Sequence, residues 1–184
     1  MKKLLLCAWL AAAGAAVAAP ATYLVDPTHT YPSFEADHMG LSMWRGKFNK
    51  NAGTVTLDKA AGQGRVEITI DATSIDFGLD IMNSKAREPD LFDTAKYPQV
   101  RYKGRLEGFT GGAPSRVVGE LTLHGVTKPV QLMVDARWQG DRIDVAGTAP
   151  IVLADYGIAT PQTPLVSADG DGSFELQLVF VPAA

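Results

Sequence analysis

The chain has 184 residues, with 17 Lys and Arg against 20 Asp and Glu, and its formal net charge is −3. This length allows one domain with a sizeable core. The acidic balance, without basic clusters, argues against nucleic acid or an anionic membrane as a partner. The single cysteine is Cys7, so the chain after its N-terminal region has no disulfide and no cysteine metal site.

The N-terminal stretch predicts a cleaved signal peptide. A Lys2-Lys3 pair precedes an apolar run that ends near Val17 and is followed by small residues. A basic start, a short apolar core and small residues before a cut site are typical of secretory signals. The run is shorter than the ~18–20 residues that span a bilayer. We expect removal of residues 1–19, export to the periplasm without stable membrane insertion, and a single domain over residues 20–184.

Taken in order, the elements after the signal are mostly strands. Alternation of apolar and polar residues predicts strands at Thr22–Asp26, Pro32–His38, Thr54–Asp58, Arg65–Asp71, Tyr97–Leu106, Asp141–Leu153 and Ser173–Val181, with two more inside Val117–Val134. One segment, Leu79–Asp90, breaks this pattern. Its apolar residues are spaced as on a helix face, and Pro89 predicts its end. About eight strands with little helix indicate a closed antiparallel barrel or a sandwich, and periodicity does not choose between them.

The clearest local prediction is a hairpin over Val117–Val134. Gly119, Leu121 and Leu123 share one face of its first strand, and Leu132 lies on the corresponding face of the second. The break at His124–Thr127 contains a glycine, as expected for a turn. Pro129 lacks an N–H, so it should begin its strand or face an edge.

Four segments, in the expected order, resemble the YceI-like, polyisoprenoid-binding domain family. They are Leu121–Val130 (LTLHGVTKPV), Val25–Thr30 with Phe34–His38, Gly46–Phe48, and Asp90–Tyr102. The resemblance covers roughly Thr22–Pro182. It implies an antiparallel eight-stranded lipocalin-like barrel with a short helical insertion. It also implies an apolar isoprenoid-type ligand, such as a quinone tail or a polyprenyl lipid. A barrel of eight strands is just wide enough to hold one small ligand.

Residues at inward positions are the candidate lining of an apolar tunnel. They are Phe34, Ala36, His38, Ile68, Tyr102, Gly104, Gly119, Leu121, Leu123, Leu132, Gly147, Ala149, Phe174 and Leu176. Packed cores leave few voids larger than a water molecule, so the small residues in this set suggest space for a ligand. Strand glycines also mark bends or close backbone approach. If the small residues leave space for a ligand, Gly119→Leu would stay folded and lose bound lipid.

Catalytic and metal chemistry find little support. The three histidines, His29, His38 and His124, could form an open zinc site, but their spacing matches no local ligand pair. We expect structural or rim histidines, no metal and no cofactor other than a bound isoprenoid lipid or quinone. No Gly-x-Ser-x-Gly elbow, phosphate loop or dinucleotide fingerprint occurs in the sequence. The segment 169–172 (DGDG) predicts a turn and not a calcium loop, because the further ligands are missing.

The chain departs from the family at two places. Met82-Asn83 stands where many members carry Arg-Asp, and Leu153 stands where many carry an arginine. Both changes remove charge. In the other members these charged groups either form a buried pair or contact a ligand head group. Removing one partner of a buried pair alone is costly, so loss of both together fits the first explanation. Both explanations stay open at the level of sequence.

The function that we expect is that of an exported, non-enzymatic carrier or sequestering protein for an isoprenoid-type lipid. Two alternatives remain. One is a periplasmic enzyme that uses the histidines and an acid such as Asp37 on a small apolar substrate. The other is a stress-related protein whose barrel is filled by its own side chains. The sequence does not decide between a monomer and a homodimer.

Overall fold

The structure is a computed structural model that describes residues 19–38, 42–158 and 171–183. The apolar segment of the predicted signal and the predicted loop at Thr160–Thr163 lie outside the described residues. So does the start of the predicted turn at 169–172. Within the described ranges, no helix is both long and apolar enough to cross a membrane.

Eleven strands and one α-helix make up the regular structure of these residues. The strands are β1 Ala21–Val25, β2 Ser33–His38, β3 Ser42–Phe48, β4 Asn51–Asp58, β5 Gln63–Asp71, β6 Ile75–Asp76, β7 Gln99–Glu107, β8 Arg116–Leu123, β9 Val126–Gln139, β10 Arg142–Val152 and β11 Asp171–Pro182. The helix α1 is Asp80–Ala86, and short 3-10 turns lie at Ala72–Ser74 and Leu153–Tyr156.

Eight of these strands close into a barrel. The order is β1-β4-β5-β7-β8-β9-β10-β11, all pairs are antiparallel, and β11 pairs back onto β1. The long strand β11 pairs with β1 near its end and with β2 near its start, so β1 and β2 act as two halves of one interrupted strand. The predicted fold class is confirmed.

Alternation along the strands decides which face is inside. In β5, Val66, Ile68 and Ile70 are buried while Arg65 and Glu67 are exposed. Successive side chains of a strand point to opposite faces, so the apolar set of every strand reaches the same interior. The core therefore lies inside the barrel, and the charged residues cover its outer wall.

The predicted hairpin is present with a tighter turn than expected. Leu123 pairs with Val126, so only His124 and Gly125 connect β8 to β9. Both have positive φ, 50° and 75°, which is the requirement of a type I′ turn. Pro129 lies inside β9 and not at its start.

Strands β9 and β10 separate along part of their length. Their ladder ends at the pair Thr148–Met133, although both strands continue beyond it. Pro129 on β9 and Pro150 on β10 lie in these unpaired continuations. A proline has no N–H to give to a ladder, so both residues disfavour pairing there. We call this gap between β9 and β10 the seam.

The segment after β10 folds back at the end of the seam. Tyr156 and Ile158 are buried in the core cluster. His124 Nδ1 donates to the carbonyl oxygen of Tyr156 at 3.0 Å, and Lys128 pairs with Asp155 at 3.3 Å. These contacts join the β8–β9 turn and the start of β9 to the segment that follows β10.

Helix α1 is shorter than the predicted span. It ends at Ala86, before Pro89, and Ala86 is buried. Leu79, one of the apolar residues whose spacing predicts a helix face, is 55% exposed. The reason is that Leu79 precedes the helix in extended conformation, so the helical spacing does not apply to it.

Asp76 and Asn83 fix the connection between β6 and α1. Asp76 accepts hydrogen bonds from the Gly78 N–H at 2.8 Å, the Asn49 amide at 3.0 Å and the Asn83 amide at 3.1 Å. Asn83 also accepts from the Phe77 N–H at 2.7 Å. Asn83 thus donates and accepts at once, which a carboxylate at this position could not do.

The same hydrogen bonds, led by the Gly78 N–H and then those of Asn49 and Asn83, lower the pKa of Asp76 from 3.8 to about 2. A pKa lowered by folding adds stability that is present above the unfolded value and is lost as pH falls through the folded value. We therefore expect Asp76→Asn to be less stable than the parent protein at pH 6. The difference should shrink between about pH 4 and pH 2.

Urea unfolding at a series of pH values measures this effect. The matched control is Glu120→Gln, because Glu120 is exposed and makes no side-chain hydrogen bond or ion pair within the described residues. An Asp76→Asn curve that stays parallel to the parent curve through this pH window would show that Asp76 is not held in its charged form by folding.

Candidate ligand site

The barrel interior contains two small apolar cavities. The space open to the centre of a water-sized sphere is about 40 Å³ in the larger and about 20 Å³ in the smaller. The larger cavity lies toward the β4–β5 and β9–β10 turns and is lined by Val55, Leu57, Val66, Ile68, Tyr102, Leu106, Pro114, Val117, Leu132, Val134, Trp138, Ile143, Val145, Leu178 and Phe180. The smaller lies beside the seam and is lined by Ile68, Ile70, Val100, Tyr102, Leu121, Val130, Leu132, Ala149 and Ile151.

Three side chains line both cavities and separate them. They are Ile68, Tyr102 and Leu132, and all three are buried. A single water needs roughly 10–15 Å³ of such space, so the two cavities have room for only a few waters. A long lipid would enter only if the three separating side chains moved apart.

Among the three side chains that line both cavities, Tyr102 is the one that carries a polar group. Its side chain is 6% exposed, and burial raises the pKa of its phenol to about 12. The hydroxyl lies 3.0 Å from the carbonyl oxygen of Val130 and 3.2 Å from that of Val117. Gly119 of β8 stands opposite Gly104 of β7 on one side and Val130 of β9 on the other. The Tyr102 ring therefore crosses β8 near a residue without a side chain to reach Val130.

The strand glycines do not leave free volume, and the expectation that they would is wrong. A Cβ on Gly119 would lie 2.6 Å from the Gly104 Cα and 2.8 Å from the Lys103 carbonyl carbon, with the carbonyl oxygen closer still. A Cβ on Gly104 would lie 2.7 Å from a methyl group of Val117, and one on Gly147 would lie 2.9 Å from the Met133 oxygen. These glycines serve close approach of neighbouring strands, so Gly119→Leu has no space to occupy.

The other candidate residues divide into three groups. Ile68, Tyr102, Leu121, Leu132 and Ala149 line the cavities. Leu123 and Phe34 are buried but line neither cavity. For Ala36, His38, Phe174 and Leu176 the strands are described but the side chains are not.

Phe34 belongs to an aromatic cluster. Its ring centroid lies 5.7 Å from that of Phe48, 5.3 Å from Phe77 and 6.0 Å from Phe92. Trp44 joins the cluster through Phe77 at 5.7 Å. Such spacing is typical of packed aromatic pairs, so Phe34 fills the interior at the β2–β3 side of the barrel.

Trp138 lines the larger cavity and is absent from the sequence-based candidates. Its indole N–H donates to the Gly112 carbonyl at 3.4 Å, and the Lys59 ammonium lies 3.1 Å from the centre of the ring system. Trp138 belongs to β9, which runs to Gln139, beyond the predicted strand. Leu132 and Val134 lie on the inward face of β9, and the same alternation continued for four more residues reaches Trp138.

The two histidines whose side chains are described make separate contacts. His29 pairs with Asp26 at 2.7 Å, and its side chain is 65% exposed. His124 bonds Tyr156 and packs edge-on against Tyr97, with centroids 4.4 Å apart. In the described part of the chain, no group of three or more His, Cys, Asp or Glu residues is arranged to hold a metal ion.

An antiparallel eight-stranded barrel closed around an apolar interior defines a lipocalin-like protein. The model of the YceI-like domain matches residues 23–180 of this chain. The chain therefore belongs to the YceI-like family.

Relatives with similar sequences agree with this assignment. A UPF0312 protein of Vibrio parahaemolyticus is 32% identical over 169 residues, which cover 86% of this chain and 89% of that protein. The protein YceI of Escherichia coli is 34% identical over 159 residues, which cover 83% of each chain.

Solved structures share the fold. BcnA of Burkholderia cenocepacia superposes with a TM-score of 0.73 and 24% identity, over 84% of this chain and 98% of that one. A polyisoprenoid binding domain from Saccharophagus degradans gives a TM-score of 0.67 and 22% identity, over 88% and 98% of the two chains. At these identities the likeness shows the barrel alone.

Proposed function

We propose that this protein is an exported, non-enzymatic carrier or sequestering protein for a long apolar isoprenoid-type lipid, held inside the barrel. The observation that carries the proposal is the lining of the two adjoining cavities, where no side chain among the described residues is charged. The polyisoprenoid binding domain from Saccharophagus degradans, which has the same fold, supports the ligand class. Residues 1–19 act as the signal that delivers the protein to the periplasm.

The energetics favour an apolar guest at this position. Burial of a methylene group is worth ~0.8 kcal/mol, whereas an unpaired charge placed among apolar side chains costs far more. The part of the ligand inside the barrel is therefore hydrocarbon. Its entry separates Ile68, Tyr102 and Leu132, so the cavity of the loaded protein is larger than that of the empty one.

One observation favours the filled-barrel alternative, namely the small volume of both cavities. In that case the interior is complete without a guest, and no lipid accompanies the protein. A carrier contains a bound lipid when it is isolated from the periplasm, whereas a filled barrel contains none.

Native mass spectrometry of protein released from the periplasm distinguishes them. We expect a mature chain lacking about the first 19 residues, with an added mass that organic solvent extracts as an isoprenoid lipid. The control is the same sample after extraction and refolding, which should show the bare mass. Bare protein in every preparation, together with no uptake of added isoprenoid, would contradict a carrier function and leave the filled barrel.

A further inference from the structure

The seam runs along the smaller cavity. Val130 and Leu132 of β9 and Ala149 and Ile151 of β10 line this cavity, two residues on each side of the seam. No ladder joins the two stretches, because the pairing of β9 with β10 ends before it reaches them. At this place the wall of the cavity therefore consists of two strands that backbone hydrogen bonds do not hold together.

Separating β9 from β10 at the seam costs less than separating two strands of a ladder. Strands in a ladder lose backbone hydrogen bonds when they part, and each buried group left unpaired is unfavourable. The contacts at the end of the seam are made by side chains, those of His124 with the Tyr156 carbonyl and of Lys128 with Asp155. The ion pair is partly exposed, and Nε2 of His124 is buried without a hydrogen-bond partner among the described residues. An exposed ion pair contributes little and an unsatisfied buried nitrogen costs free energy, so the seam is only weakly restrained.

The outer side of the seam is uncharged, whereas the rest of the same two strands is charged. Within the ladder, the outward residues of β9 and β10 include four charged ones, namely Asp135, Arg137, Arg142 and Asp144. At and beyond the last pair, the outward residues carry no charge, and they are Thr127, Pro129, Gln131, Met133, Thr148, Pro150 and Val152. Met133 and Val152 are 57% and 41% exposed. Apolar side chains thus continue from the outer surface to the cavity lining at the seam.

We propose that the seam is a lateral portal, through which an apolar chain enters and leaves the barrel by separating β9 from β10. The inference rests on the proposed function and adds the route to the ligand site. A hydrocarbon chain that crosses the wall here stays against apolar side chains, which keeps it out of water. The wall at β5 and β7 shows the contrast, because Arg65 and Arg105 lie directly opposite each other on its exposed face. A chain crossing there would meet charge and break a ladder.

A crosslink across the seam tests this route. Gln131→Cys and Pro150→Cys place one thiol on the exposed face of each strand, in a chain whose single cysteine, Cys7, lies in the predicted signal. A short bismethanethiosulfonate linker joins the two thiols, and a reducing agent removes it. Uptake and release of a C15 isoprenoid alcohol by delipidated mature protein are followed by the emission of Trp138 in a Trp44→Phe background, because Trp138 lines the larger cavity. We expect the linked protein to take up and release the probe about tenfold more slowly with unchanged affinity, since the linker restricts the path and not the bound state.

The matched control is Asp135→Cys with Ala146→Cys, a directly opposed pair on the outer face of the same strands but inside the ladder. Its linker should leave both rates unchanged. Equal rates in the two linked proteins would place entry elsewhere, such as at a barrel end, and would overturn the inference while the carrier function stands. A slow rate that persists after the linker is reduced would reflect the substitutions and overturn it too. Failure of the parent protein to bind the probe would instead refute the proposed function together with the inference.

Discussion

Gly119→Ala should destabilise the protein by about 3 kcal/mol, the upper end of the range for overpacking in a core. The added methyl group meets the backbone of β7 at Gly104 and Lys103, which a change of rotamer cannot relieve. Relief requires β7 and β8 to move apart. Because β7 is also paired with β5 and β8 with β9, such a shift strains the pairs on either side. The urea midpoint at unchanged m-value measures the loss.

A graded comparison gives the control for this prediction. Gly147→Ala should cost clearly less, because the nearest neighbours of its new methyl group, the Met133 oxygen and a Val134 methyl group, both lie 2.9 Å away. Both variants change the same residue type in a strand, so the intrinsic effect of alanine is matched. Equal losses at the two positions, or a stable Gly119→Ala, would show that β7 and β8 are not as close as the structure has them.

Leu132→Ala should have the second large effect, and it bears directly on function. Leu132 is 4% exposed and lines both cavities, so its truncation joins them into one space. Leucine-to-alanine changes in cores cost about 2–5 kcal/mol, with the loss growing as the cavity grows. A ligand that fills the joined space restores part of this loss. We therefore expect an isoprenoid to raise the unfolding midpoint more in Leu132→Ala than in the parent protein.

Leu123→Ala is the matched control, because Leu123 is equally buried but lines neither cavity. It should lose similar stability and gain no additional response to the ligand. Should Leu132→Ala fail to fold, Leu132→Val provides the same comparison at lower cost. An identical ligand response in the Leu132 and Leu123 variants would indicate that the ligand binds elsewhere than between the cavities.

Much of the fold follows from the sequence, because strand alternation is a local property. Val66, Ile68 and Ile70 alternate with polar residues, and they are buried as the pattern predicts. The turn after Leu123 is also local, since it depends on two adjacent residues, His124 and Gly125. Closure of the sheet into a barrel depends on β11 meeting β1, a pairing that periodicity does not encode.

The candidate site was predicted only in part, for a related reason. Alternation predicts the face of the sheet on which Gly119 lies, but not the distance between neighbouring backbones. That distance decides whether a glycine leaves space for a ligand or allows two strands to approach closely. The seam begins where the ladder between β9 and β10 stops. Pro129 and Pro150 indicate this point only once the pairing register of the two strands is known. Trp138 was missed because β9 is longer than its most regular stretch.

The charge-removing differences from the family have partial structural explanations. Asn83 replaces a charge with a residue that both donates to Asp76 and accepts from the Phe77 N–H. Leu153 is half-buried against the core, where an apolar side chain is favourable.

Photo-crosslinking shows directly whether an isoprenoid binds inside the barrel. An isoprenoid alcohol with a diazirine in its chain is bound to the mature protein, irradiated, and its attachment sites are mapped by peptide mass spectrometry. We expect labels on Ile68, Tyr102 and Leu132, the residues between the two cavities. Labels confined to exposed apolar residues such as Leu79 and Ile81 would show adsorption to the outer surface and contradict a ligand inside the barrel.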